Sequence, residues 1–172
     1  VLGYGLTETN AVGAGNLNEN YLAKPGSTGL PSKPLVDMAI LDDDGRPVPT
    51  GETGEVSIRS AANFLGYWKN EQATRECFTA DGYFRTGDLG YLDEDGYLFI
   101  VDRKKDIIIR GGENIACIEV EDALYAHPDI AECSVFGIPD DRFGEVPAAV
   151  YLLHEGKTLA AEDLQEFLRE HI

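Results

Sequence analysis

A chain of 172 residues has material for one medium or two small domains with real cores. Its 43% hydrophobic and 26% charged residues match an ordinary soluble globular protein, and its net charge of -17 excludes general nucleic-acid binding, because phosphate backbones attract basic surfaces. Cys77, Cys117 and Cys133 are odd in number and far apart, which excludes a disulfide framework or a CxxC zinc site and suggests reduced thiols in a cytoplasmic protein.

His127, His154 and His171 form no ligand-spaced set. No apolar run reaches membrane-spanning length, so no transmembrane segment is expected, and no signal peptide is visible. The chain opens on Val1-Leu2-Gly3, which reads as the end of a buried strand, and its last helical pattern stops without a cap. Both ends are expected to be cut from a longer protein.

Val1 to Asn20 is rich in glycine and alanine, a composition that lets backbone approach a neighbour closely, and it contains Tyr4-Gly5-Leu6-Thr7-Glu8. Pro25 to Pro34 is turn material. It resembles a phosphate-cradling loop, but a strand pattern over Leu35 to Leu41 follows it where such a loop would need a helix N-terminus, so a plain connector is expected. Asp42-Asp43-Asp44-Gly45 predicts a turn, and Gly54 to Arg59 predicts a strand with alternating faces. Asn70 predicts the N-cap of a short helix reaching about Phe78. A hairpin is expected from Leu89 to Val101, folded at Asp93-Glu94-Asp95-Gly96.

Beyond Arg103 the pattern changes. Ile107 to Ile109 predicts a strand, Cys117 to His127 an amphipathic helix ended by Pro128, and Ile130 to Ile138 and Val146 to Leu153 two further strands. Thr158 is the expected cap of a last helix that buries Leu164, Phe167 and Leu168. The fold class is therefore α+β: a small, mostly-β subdomain of short strands, barrel-like but distorted, followed by a compact β-α-β-β-α module. The boundary is placed in the basic segment Arg103 to Lys105.

Two clusters carry chemistry. Asp88 follows Thr86-Gly87, where a glycine turn would project it, and one ionised carboxylate can accept hydrogen bonds from both hydroxyls of a ribose. Arg103 lies across the hairpin and could reach the same sugar or its phosphate; the plain alternative is that Asp88 caps its own turn. From Arg103 to Arg110 there are four positive residues and one negative, an island that suits a small anionic ligand or an ion-pair network. Thr7 and Glu8 offer a hydroxyl and a single carboxylate, which suits Mg²⁺ held partly by substrate phosphates, or an ordinary helix start with a Thr cap.

Taken together and in order, YGLTET, TGEVSIRS, GYW, DGYFRTGDLGYLDEDGYLFIVDRKKDIIIRGGENI and IEVEDALYAHPDIAECSVFGIPDDRFGEVPAAVYLL resemble the AMP-forming acyl-CoA synthetase family over nearly the whole chain. This resemblance implies ATP/AMP, Mg²⁺ and coenzyme A as cofactors, and a small-molecule carboxylate, fatty or otherwise apolar, as substrate. It implies that residues 1–102 are the C-terminal β-rich part of a large adenylate-binding domain, 103–105 a hinge, and 106–172 a truncated, mobile C-terminal domain. By position, Tyr4 would pack on adenine beside Gly5, Thr7 would contact a phosphate and Glu8 would bind Mg²⁺. Asp88 would hold the ribose, Ile100 would back the nucleoside, and Arg103 would reach the ribose and phosphate. Lys105 would be the hinge, and Gly111, Gly112 and Glu113 would line the pantetheine channel.

The family's Ser/Thr/Gly-rich phosphate loop and its C-terminal adenylation lysine have no counterpart in the sequence, and Cys117 stands where the family often has Pro. The rest of a parent ligase chain is thus an implied partner, and adenylation by these residues alone is not expected. Two other readings stay open: a piece of a peptide-synthetase adenylation domain, whose thiol donor is a carrier protein, and a non-catalytic α+β module docking through Cys117 to His127.

Overall fold

A computed structural model describes residues 2–172. The chain divides into two compact units, Val1–Lys104 and Lys105–Ile172, the division falling inside the basic segment.

The first unit holds two antiparallel sheets. One comprises β1 (Leu2–Tyr4), β2 (Ala14–Asn16) and β3 (Leu30–Pro31) in that order. The other comprises β4 (Val36–Leu41), β5 (Gly54–Ser60), β6 (Phe84–Leu92) and β7 (Leu98–Arg103), again in chain order. Two short helices, α1 (Glu19–Ala23) and α2 (Glu71–Glu76), sit in the connections. A backbone bridge joins the sheets: Leu98 N–H donates to the Gly29 carbonyl at 2.9 Å, and Thr28 N–H donates to the Leu98 carbonyl at 2.8 Å. The buried Ser27 hydroxyl donates to the same Leu98 carbonyl at 2.8 Å.

The core of this unit is Ala14, Ile40, Val56 and Leu98, against which Tyr4, Met38, Leu92 and Ile100 pack. Val56 and Leu98 are fully buried, each contributing about 1.5–3 kcal/mol. β5 departs from its sequence pattern. Alternation suggests one wet face, yet Glu55, Val56, Ser57 and Ile58 are all buried, because charged side chains cover the polar face. The expected buried strand at the start of the chain is β1, and its Leu2 is 39% exposed. Two turns form as their sequences predict: Asn70 Oδ1 accepts from Ala73 N–H at 3.1 Å, and Asp93 closes the β6–β7 hairpin by accepting from Asp95 and Tyr97 N–H.

The second unit is a sheet ordered β10-β11-β8-β9, formed by β8 (Ile108–Arg110), β9 (Glu113–Ile115), β10 (Ile130–Asp140) and β11 (Gly144–Leu153). With α3 (Cys117–Tyr125) and α4 (Ala161–His171) it encloses Ile108, Cys117, Leu124, Ile130, Val135 and Leu164. The module is β-β-α-β-β-α, one strand richer than its sequence suggests. Gly111 and Gly112 form the tight turn that creates β9, with φ of +62° and +94°. Thr158 is not the cap of α4; the helix starts at Ala161 after Ala160, with no side-chain cap. Among the described residues, no helix is long and apolar enough to cross a membrane.

The sheet junction makes Gly29 demanding. A Cβ there would lie 1.9 Å from the Gly15 carbonyl carbon, on a backbone with φ +106°. Gly29→Ala is expected to lower unfolding stability by at least about 1–3 kcal/mol. Gly51→Ala shares a positive φ of +86° with open space around it, and should cost less. Urea denaturation of the two variants checks the order; equal losses would show that the junction is not tightly packed.

Candidate functional site

The site begins with a mismatch between two strands. Glu55 pairs with Leu89 and Ser57 with Arg85, so Val56 alone faces Thr86, Gly87 and Asp88. The surplus residues bulge out of β6, a device that re-aims a side chain. Gly87 supplies the left-handed conformation at φ +76° that the bulge needs. Thr86 Oγ1 donates to Val56 carbonyl at 2.7 Å and accepts from Asp88 N–H at 3.1 Å. The result is a closed, hydrogen-bonded bulge from which Asp88 projects.

Three groups converge there. Tyr4 Oη donates to Asp88 Oδ2 at 2.7 Å, and Arg103 Nε lies 3.5 Å from Asp88 Oδ1. The β6–β7 register brings Arg103 there, since Asp88 and Arg103 are Cα partners across the ladder. The Asp88 side chain is 12% exposed and that of Arg103 61%, so an exposed cation borders a recessed carboxylate. A carboxylate has about four lone-pair directions. Tyr4 occupies one and Arg103 stands beyond close hydrogen-bond range, which leaves acceptor capacity for a hydroxyl pair. Burial pushes the Tyr4 phenol well above its ordinary range, so it stays a donor.

On the other side of the bulge lies a cleft of about 460 Å³, lined by Glu8, Tyr67, Thr86, Gly87, Glu55 and Lys104 among others. Thr7 and Glu8 sit in a single 3-10 turn, Thr7–Thr9. Thr9, not Thr7, ties that turn: its hydroxyl accepts from Leu6 N–H at 3.1 Å. Tyr67 Oη donates to Glu8 Oε1 at 3.0 Å, and Phe64 N–H donates to the Glu8 carbonyl at 2.7 Å. Burial and the Glu8 bond push the Tyr67 phenol up to about 12. Among the described residues, no group of three or more His, Cys, Asp or Glu side chains is arranged to hold a metal alone. A lone Glu8 suits Mg²⁺ that takes its remaining ligands from phosphates and water.

The other expected site residues lie as follows. Gly5 is packed by the chain itself, since a Cβ there would approach Ala11 carbonyl atoms at 2.6 Å. Gly13 is crowded likewise, by the Tyr4 carbonyl at 2.4 Å, so these glycines serve close backbone packing. Ile100 is half-buried on β7 against the first core. Lys105 is exposed, in the 3-10 turn Lys104–Asp106. Gly111, Gly112 and Glu113 are exposed in the second unit. The structure thus brings Tyr4, Asp88 and Arg103 together and holds Glu8 in the neighbouring cleft.

Sequence reasoning passed over Tyr67 and Glu55. Tyr67 sits in the noted GYW stretch, but nothing in its spacing points to Glu8. Glu55 was legible as a carboxylate on a strand otherwise built from Val56 and Ile58, a placement that calls for cationic partners.

Comparison with known proteins adds the family. Residues 1–68 match the AMP-binding enzyme family, and residues 119–172 match the AMP-binding enzyme C-terminal domain. The chain belongs to the AMP-binding enzymes. It is 41% identical over 170 residues to an oxalate–CoA ligase of Saccharomyces cerevisiae, covering 98% of this chain and 31% of that protein. It is 42% identical over 173 residues to a feruloyl-CoA synthase of Amycolatopsis sp, covering 100% of this chain and 35% of that protein. Among solved structures, o-succinylbenzoate CoA synthetase (MenE) from Bacillus subtilis, in complex with its acyl-adenylate intermediate OSB-AMP, superposes with a TM-score of 0.88 at 37% identity, covering 99% of this chain and 34% of that one. The chain spans about a third of the length of these proteins.

The Tyr67–Glu8 bond predicts a pH signature. A phenol whose folded pKa is raised gives stability that is fully present below its unfolded value near 10 and is lost as pH rises toward 12. Tyr67→Phe should therefore lose stability less steeply than the parent chain between pH 9.5 and 11.5, as read from denaturation midpoints. Parallel curves would mean that the bond is not formed in solution.

Proposed function

We propose that this chain is the nucleoside-gripping and thioester-forming portion of an AMP-forming carboxylate–CoA ligase. The observation that carries the reading is the meeting of Tyr4 and Arg103 on the recessed Asp88 carboxylate, at 2.7 and 3.5 Å. A carboxylate so held can accept both ribose hydroxyls through charge-assisted bonds, while the exposed guanidinium addresses a phosphate or the ring oxygen. Tyr4 presents an adenine-facing ring edge-anchored by its own hydroxyl, and Ile100 supplies apolar backing. Thr7 contacts a phosphate. Mg²⁺ bound through Glu8 supplies charge neutralisation for the phosphates.

In the whole ligase, a substrate carboxylate attacks the α-phosphorus of ATP, forming acyl-AMP and releasing pyrophosphate. The CoA thiol then attacks the acyl carbon and AMP leaves. The residues of this chain position the nucleotide and stabilise charge; Lys105 is the hinge between the two half-reactions, and Gly111, Gly112 and Glu113 line the path of the pantetheine arm. Turn glycines at 111 and 112 suit that role, having no side chain to block a thin thiol. In this reading residues 1–102 complete the adenylate-binding domain and 106–172 are the C-terminal domain. Three cysteines outside any disulfide accord with a reducing, cytoplasmic setting. The relatives are named for oxalate, feruloyl and o-succinylbenzoate groups, which differ in size and polarity, so the proposal rests at the class of carboxylates. A fatty acid is one member of that class.

Asp88→Ala is expected to weaken AMP binding to the chain by about 100-fold or more, the worth of two hydrogen bonds to a charged acceptor, measured by calorimetry. Unchanged affinity would remove the basis of the proposal. ATP–pyrophosphate exchange is not expected from the 172 residues alone, since the sequence has no Ser/Thr/Gly-rich phosphate loop; exchange by the isolated polypeptide would contradict this.

A further inference from the structure

One buried carboxylate takes no part in the chemistry above. Glu55, on β5, has a side chain only 7% exposed. Its Oε1 accepts from Gly87 N–H at 3.2 Å. Its Oε2 receives Arg85 Nη1 at 3.0 Å and Lys104 Nζ at 3.2 Å. Lys104 also meets Asp43 at 2.7 Å, and Arg85 Nη2 donates to the Asp43 carbonyl at 3.4 Å. All of these groups belong to the first unit.

The placement is informative. Gly87 lies at the apex of the bulge, where the ladder offers its N–H no partner because three residues oppose Val56. An unmet buried N–H costs about 1–3 kcal/mol. Glu55 meets it with a charged acceptor, and the two cations balance the charge that makes this acceptor strong. Lys104 directly follows Arg103, the last residue of β7. One carboxylate therefore fastens both ends of the Asp88–Arg103 pair: the turn that carries Asp88 and the residue after Arg103.

We propose that Glu55 is the positioning residue of the nucleoside site, setting the Asp88 bulge through Gly87 and the Arg103 strand end through Lys104. It touches no substrate. Its effect is to keep a recessed carboxylate and an exposed guanidinium at a fixed separation while the ribose is absent, so that binding does not have to order them. This rests on the reading of Asp88 as the ribose carboxylate.

The test uses the 172-residue chain with AMP as probe. Glu55→Ala removes the acceptor; Glu55→Gln keeps shape and one neutral acceptor but cannot balance Arg85 and Lys104. Two quantities are measured: AMP affinity, and hydrogen exchange at the Gly87 amide with the Ser57 amide as internal reference. The expected result for Glu55→Ala is Gly87 exchange at least about tenfold faster relative to Ser57, and AMP affinity about tenfold weaker, with Glu55→Gln intermediate in both. Lys104→Met should weaken AMP several-fold with Arg103 and Asp88 intact. If Gly87 and Ser57 exchange accelerate together, Glu55 is a general fold determinant and the proposal fails. If both quantities stay within twofold in both Glu55 variants, it fails as well. Asp88→Asn separates the two readings: should it leave AMP affinity unchanged, the ribose assignment is wrong, while Gly87 exchange still reports whether Glu55 sets the bulge.

Discussion

The first unit depends on three residues standing opposite one. Where Thr86, Gly87 and Asp88 face Val56, the β5–β6 ladder is interrupted and its backbone groups must be satisfied otherwise. They are met by side chains: Thr86 closes on Val56 and Asp88, and Glu55 takes the Gly87 N–H. Everything placed at the site follows from this break. Asp88 has no partner on β5, Tyr4 reaches it from the other sheet, and the β6–β7 register sets Arg103 across from it. Regular pairing here would engage Asp88 with β5 and dissolve the site.

The charge distribution takes a clearer form in this light. The basic island beginning at Arg103 was open to two readings, an anion site or an ion-pair network. The ion-pair reading holds for Lys104. Lys104 is engaged by Asp43 and Glu55, which raises its pKa, the Asp43 bond being the larger cause. Arg103 remains mostly exposed beside a carboxylate that it does not closely bond. Arg110, in the second unit, lies over the Phe143 ring at 4.2 Å. A surface pair such as Lys104–Asp43 contributes little by itself, because solvent screens it. Its partner Glu55 is recessed, and there the same cation is needed to keep a buried charge from being left alone.

How much of this the sequence disclosed depended on the range of the interaction. Turns closed by near neighbours were legible: Asn70 capping α2, Asp93 folding the β6–β7 hairpin, Pro128 following the helix α3. The approach of Asp88 and Arg103 was legible only coarsely: counting back from the hairpin turn sets Asp88 opposite Asp102, and a ladder irregularity between Leu89 and Gly90 puts Arg103 there instead. Long-range partners were not legible. Nothing local indicates that Tyr67 faces Glu8, 59 positions away, or that Glu55 meets Lys104, 49 away. Alternation over Gly54 to Arg59 predicts the strand, but a two-residue period reports parity and not what covers each side. The β9 strand was missed because Glu113-Asn114-Ile115 is too short for a period, and its existence rests on the Gly111-Gly112 turn. The crowding around Gly5 and Gly13 was likewise invisible in composition, where small residues signal close approach without naming what approaches.

Tyr4 shows how one side chain can serve fold and site together. Its ring packs against the core of the first unit, and burial of that ring keeps the phenol protonated. A hydroxyl that cannot ionise in the working range is a dependable donor, so it fixes the orientation of the Asp88 carboxylate. The carboxylate is thereby oriented by a neutral donor from within and bordered by a cation from outside. A neutral donor leaves the carboxylate's negative charge available to incoming hydroxyls, whereas a close Arg103 bond would compete for it. At 3.5 Å Arg103 borders the Asp88 carboxylate without closely bonding it, which leaves lone pairs of the carboxylate open.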